Sequence, residues 1–382
     1  MHLPSDLLSN LLHNAPHAVP EHLVVETLLP DIKTRQIAVE DALARIRAWA
    51  GWVPVAVCPG RDDDEALLYF ADLGQLPCDK WQHIYSLKQL AENGTIGDYF
   101  STSFKLLKIP GLLPDPITPR GFILHMSRCG STLLGKALAR ADGVAVINQP
   151  APLQYGLWAQ LSGQWQNREE LALTADPLNA LCFKNLIHLL CRERIPGERT
   201  VFIKFISWNA LYVDFIRSAF PDVACLFLYR DPVEVMSSVA LQTTAALVAK
   251  PHALAEFLSG MERDSIDCSD ATEYLAACYA NYFASILNAK QPPVLVGYQD
   301  MTRTQLPSIL AAVFGYTPSS SQLQQMQAQF AFYSKDDADK TDFKPDSRSK
   351  QNALESQQIA RIRARCQALL ETLDAHRLQP AA

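Results

Sequence analysis

From residue 119 onward, short apolar runs alternate with longer stretches whose apolar residues recur at helical spacing. Phe122 to Met126, Val144 to Ile147, Val201 to Phe205, Val223 to Tyr229 and Val294 to Tyr298 read as buried strands. Between them, Leu133 onward, Asn209 to Phe220 and much of Ala253 to Leu287 read as helices. The rhythm predicts an α/β fold with a central parallel sheet, helices on both faces and ligands at the strand C-termini. The preceding stretch differs. Leu7 to Leu12, Val39 to Trp49 and Trp81 to Ala91 have helical spacing, and Val53 to Val57 and Ala66 to Phe70 read as two strands. Four prolines between Pro110 and Pro119 mark a linker.

The richest chemistry lies just after the first of those buried runs. Ser127, Arg128, Cys129, Gly130, Ser131 and Thr132 form a tight polar turn between a strand and a helix. Such a turn aims backbone N–H groups and a helix N-terminus at one spot, which suits a phosphate. Gly130 permits close approach, Ser131 and Thr132 add hydroxyls, and Arg128 adds a planar cation. A second frame overlaps it. Gly130 to Lys136 spells GxxxxGK, most of an ATP-binding loop, but Ala137 stands where Mg²⁺ binding wants a hydroxyl. That frame would also set Lys136 inside the helix, so the earlier frame is the phosphate loop.

Arg128-Cys129-Gly130-Ser131-Thr132-Leu133-Leu134 resembles the 5′-phosphosulfate loop of the PAPS-dependent sulfotransferases, a P-loop-type fold, and looks closest to their bacterial branch. A second motif agrees. The Val223–Tyr229 run is followed by Arg230-Asp231-Pro232 and, eight positions after Arg230, by Ser238. This matches the family's 3′-phosphate motif, a strand-end arginine and a helix serine. Asp231 and Pro232 also suit the start of a helix. The resemblance implies a sulfuryl transfer from PAPS, leaving PAP, with no metal ion. It implies cofactor contacts from Arg128, Cys129, Gly130, Ser131, Thr132, Leu133, Arg230 and Ser238. The expected organisation is an α+β accessory region at 1–118, a sulfotransferase-like nucleotide-binding domain at 119–350 and a C-terminal helix at 351–382.

Composition narrows the partners. The 382 residues carry a net charge of −6, which disfavours nucleic acid. A hydrophobic share of 48% is ample for a core, yet no apolar stretch is long enough to span a membrane. Nine cysteines are scattered without CxxC pairs, which fits buried, reduced thiols, and the start of the chain lacks a signal-peptide pattern. A cytoplasmic enzyme acting on a small hydroxyl- or amine-bearing molecule, such as a secondary metabolite, is the expected class. An ATP-dependent kinase and a non-catalytic PAP-binding member are the alternatives.

Transfer of this kind needs positioning and charge stabilisation more than covalent chemistry. Arg128 is the first catalytic candidate. Lys204, ending the apolar run Val201–Phe205, is the second, because a lysine there is costly to bury without an anion. The family's usual bases are missing. Ile206 stands where animal relatives place a histidine, and Gln149, before Pro150, stands where bacterial relatives place a glutamate. Gln149 can orient an acceptor but cannot take its proton. His252 is a candidate to face the acceptor, whereas His125 and His188 read as structural. Cys129 near a helix N-terminus admits a lowered thiol pKa, but no partner for nucleophilic work is visible. Tyr155, Trp158 and Trp165 either line an acceptor pocket or fill core. Lys335, Lys340, Lys344, Arg348 and Lys350 read equally as a solvated loop or as a flap over the cofactor.

Overall fold

The computed structural model describes residues 19–163, 176–239, 244–332 and 354–379. The expected Leu7–Leu12 helix, Trp165 and the basic segment from Lys335 to Lys350 lie outside them. The chain divides into two compact units: Met1–Pro119 with Ile147–Val201, and Arg120–Val146 with Phe202–Ala382. Residues 147–201, which lie within the 119–350 stretch expected to form the nucleotide-binding domain, cluster with the N-terminal region.

The first unit holds an antiparallel sheet in the order β1 (Trp52–Cys58), β2 (Leu67–Asp72), β3 (Tyr99–Ser103). The third strand has no strong apolar signature. It forms because Phe100 stacks on Phe70 at 5.1 Å and meets Trp52 edge-on at 4.8 Å. Its hydroxyls are satisfied inside, Thr102 donating to the Ile37 carbonyl at 3.1 Å. Helices span Glu21–Leu28, Val39–Ala48, His83–Glu92 and Pro177–Leu190. Trp158 is fully buried against Phe183, so it is core. Residues Leu153–Leu157 wind as a π-helix. Gly156 lets that segment lie on β1, since a Cβ there would fall 2.2 Å from the Val57 carbonyl oxygen.

A five-stranded sheet, most of whose residues fall in the second unit, has the order β5-β6-β4-β7-β8, formed by β4 (Gly121–His125), β5 (Val144–Asn148), β6 (Thr200–Lys204), β7 (Ala224–Tyr229) and β8 (Val294–Gly297). The registered pairs of β4 with β6, β4 with β7 and β7 with β8 are parallel. Every residue of β4 is buried, as a central parallel strand requires. Register shows what covers each face. Gly121 sits opposite Phe202, and Phe314 of the Leu306–Phe314 helix packs on both. Phe227 and Tyr229 point to the other face and meet Phe283 of the Ala271–Leu287 helix. The result is an α/β sandwich of three layers. The Ser356–His376 helix is tied to β7 by Asp374, which accepts from the Tyr229 hydroxyl at 2.7 Å. Leu378 N–H then donates to the Leu295 carbonyl, capping part of the β8 edge.

Candidate anion-binding site

The turn after β4 is built on unusual backbone. Ser127, Arg128 and Gly130 have φ of 91°, 46° and 85°. Non-glycine residues in this region cost roughly 1–3 kcal/mol each, and such cost is retained where function needs the geometry. His125 braces the turn. Its Nδ1 accepts the Ser127 N–H at 3.0 Å, so its Nε2 carries the proton and donates to the Phe205 carbonyl at 2.9 Å. It is a satisfied core histidine, as its sequence context suggests. Gly130 meets a second demand. A Cβ there would lie 3.0 Å from the Tyr298 ring.

The helix begins at Ser131, two residues earlier than the pattern of apolar positions implied, and runs to Ala139. Ser131 and Thr132 therefore form its first turn, where N–H groups lack helical acceptors. Ser131 is buried, and Thr132 and Leu133 are half-buried. Lys136 is buried in the body of this helix rather than at its mouth. Cys129 points inward. It is completely buried and donates to the Leu228 carbonyl at 3.1 Å. Burial pushes its thiol up to about 11, although the charges of Lys204 and Arg230 pull the other way. The lowered thiol pKa admitted by its place near a helix start is corrected: desolvation outweighs it.

The two sequence motifs meet. Arg128 Nε donates to Ser238 Oγ at 2.6 Å, across 110 positions of chain. Ser237 instead donates to the Val233 carbonyl at 2.8 Å and is fully buried. Asp231 caps the Pro232–Val239 helix as expected, accepting from Val233 N–H at 2.8 Å, and pairs with Arg363 at 2.8 Å. Arg230 is buried with its guanidinium carbon 4.2 Å above the Tyr298 ring, and its Nε is paired with Glu234 at 2.6 Å. Tyr298 thus touches both the glycine of the turn and the second arginine. Neither Tyr298 nor Glu234 stood out in sequence. The only signal was position: Tyr298 follows the last core strand, and Glu234 lies one helical turn after Arg230.

Lys204 is fully buried at the end of β6, in register with Ile123 of the neighbouring β4. Gln149 belongs to the first unit. It follows β5 with φ of 49° and is buried. Among the described residues, Ser127, Arg128 and Gln149 are the non-glycine residues with positive φ. His252 sits on an exposed turn after the Ala245–Ala249 helix, its N–H bonded to the Ala249 carbonyl and its own carbonyl to Arg263. Nothing in that placement joins its ring to the arginines.

The donor set fits a phosphorylated ligand. Two guanidiniums, two hydroxyl residues at a helix start and a glycine cradle converge in one unit, with Glu234 the opposing charge. No family model and no curated protein matches the chain. The solved structures to which it is similar include two sulfotransferases. Sulfotransferase STF9 from Mycobacterium avium shares 13% identity at a TM-score of 0.41, over 75% of this chain and 86% of that one. Sulfotransferase STF1 from Mycobacterium tuberculosis H37Rv shares 14% at 0.33, over 62% and 78%. Likeness at this level says nothing of activity.

Proposed function

We propose that the protein is a cytoplasmic, PAPS-dependent sulfotransferase of the bacterial, P-loop type, acting on a hydroxyl or amine of a small molecule. The observation that carries this reading is the bond between Arg128 and Ser238, which joins a 5′-type and a 3′-type phosphate motif into one site. PAPS, when bound, supplies the sulfuryl group and leaves as PAP. The first-turn N–H groups, Ser131 and Thr132 hold anionic oxygens, Leu133 and the Cys129 backbone shape the cradle, and Arg128 stabilises the charge that grows on the leaving phosphate. Arg230 and Ser238 hold the 3′-phosphate, for which Arg230 must give up Glu234. Lys204 adds positive charge from the neighbouring strand end. Gln149 orients the acceptor without accepting its proton.

The kinase reading requires Lys136 at the helix mouth, and Lys136 is buried mid-helix. A PAP-binding protein without turnover is favoured only by the amide at Gln149. Titration with PAP and with ATP–Mg²⁺ separates kinase from the rest, and transfer of radiolabelled sulfur from PAPS to a metabolite pool separates enzyme from binder. Stabilisation by ATP–Mg²⁺ and not by PAP would overturn the proposal.

A further inference from the structure

Buried side-chain oxygens without hydrogen-bond partners are rare. Four of them gather about one short segment of the first unit: Asn148 Oδ1, Gln149 Oε1, Gln154 Oε1 and Glu21 Oε2. Their residues are 3%, 6%, 1% and 4% exposed. The fold assembles them. Gln154 Nε2 donates to the Gln149 carbonyl at 3.1 Å, and Asn148 Nδ2 donates to the Lys80 carbonyl at 3.3 Å. Those two bonds also settle which end of the Asn148 and Gln154 amides is oxygen, since a flipped amide would set oxygen against oxygen. The Glu21–Leu28 helix packs on the π-helical Leu153–Leu157. The Glu21 carboxyl lies within electrostatic reach of Tyr155. His83 closes the same segment, its Nδ1 accepting the Ala151 N–H at 3.3 Å.

All four atoms accept. Even a protonated Glu21 supplies one donor for the whole group. Burial holds its carboxyl well above the ordinary range, which is the state of an acid kept without a counter-charge. Two local costs point the same way: positive φ at Gln149 and a π-helical turn, a feature that recurs at functional sites.

We infer that Glu21, Asn148, Gln149 and Gln154 form a binding site for a small organic ammonium ion. An ammonium brings three N–H donors, no acceptor and a positive charge opposite Glu21. A water molecule brings two donors and a polyol brings an acceptor with every donor, and neither carries a charge to match Glu21. The inference rests on the first unit alone and stands whether or not the second unit transfers sulfuryl groups.

The test is isothermal titration of the full chain, without nucleotide, using ethanolamine and its uncharged counterpart ethylene glycol. Ethanolamine should bind about tenfold or more tightly than the glycol, as a charge-assisted contact requires. Glu21→Gln keeps the shape and removes the carboxyl that gives up its proton to solvent when the ammonium is seated opposite it. It should weaken ethanolamine by about 10- to 100-fold and leave the glycol unchanged. Gln154→Met, which removes one acceptor at similar length, should weaken ethanolamine as well. Circular dichroism checks that the variants fold. If they do not, the comparison of the two probes on the unaltered protein decides. Equal binding of the two probes, no binding of ethanolamine, or full affinity in folded Glu21→Gln would overturn the inference.

Discussion

After β4 the chain turns through Ser127 and Arg128 at positive φ and presents cations, hydroxyls and a helix start. After β5 it turns through Gln149 at positive φ and presents amide oxygens. Both turns leave the C-terminal end of a parallel strand, where ligands bind in folds of this kind. The backbone cost is similar and the charge preference is opposite. The first turn has partners for its polar groups inside the protein, such as Ser238 for Arg128. The second lacks them for its oxygens. Strain marks a place where something is held. The donor and acceptor inventory then says what.

The largest effect should come from Arg128→Ala. Removing a preorganised donor at a site of growing charge typically costs about 10²–10³ in turnover. Initial rates with PAPS measure it, and the same variant should bind ethanolamine normally. A variant that loses both functions would dissolve the distinction between the turns.

Arg230→Ala comes next. It should weaken PAP by roughly 1.5–3 kcal/mol, the range for hydrogen bonds to charged groups. Adenosine 5′-phosphosulfate, which lacks the 3′-phosphate, should be hardly affected. Equal losses for the two ligands would make Arg230 a structural residue held by Glu234 and Tyr298.

Gln149→Gly should stabilise the fold by about 1 kcal/mol, because glycine accepts φ of 49° without a Cβ penalty. It should impair acceptor use while leaving PAP affinity alone. Chemical denaturation together with PAP titration reads both. A destabilised variant would show that the turn carries no strain.

Glu21→Gln should act through pH. The folded chain keeps a proton on Glu21 that the unfolded chain releases above the ordinary 4.5, so stability is full below that pH and falls as pH rises. His22 and His83 work in the opposite direction. Burial lowers them to about 4 and about 3, so the fold loses stability as pH falls below 6.5. The difference between the variant and the unaltered chain isolates the glutamate. Glu21→Gln should melt higher at neutral pH, with the gain shrinking toward pH 4.5. Identical melting at pH 7 would mean that Glu21 is ionised in the fold.

The smallest effect belongs to Lys136→Ala, which should change PAP affinity little because Lys136 is buried in the helix body. Loss of binding there, with Arg128→Ala harmless, would restore the ATP-type frame.

The second unit was legible in sequence because buried parallel strands are unbroken apolar runs. β4, β6 and β7 start and end within a residue of the expected bounds. Helix starts were less so, since Ser131 and Thr132 have turn chemistry yet already wind. β3 escaped because Tyr99 to Ser103 is rich in hydroxyls, and its burial depends on Phe70 and Trp52 supplied by other strands. The Glu21–Leu28 helix escaped because a glutamate after proline reads as a solvated first turn. Cationic turns announce themselves through arginine, serine and glycine. A cluster of neutral amides does not, because Asn and Gln are ordinary in loops and their lack of partners exists only in three dimensions.

The Arg230–Glu234 pair has a kinetic side. A carboxylate one helical turn away is always at hand to reclaim the guanidinium. Any anion seated on Arg230 holds it against a tethered competitor whose local concentration does not dilute. Affinity is lowered, and departure is assisted because the arginine is never left bare. For a catalyst whose spent nucleotide must leave before the next turnover, a shorter product residence time is a gain in throughput.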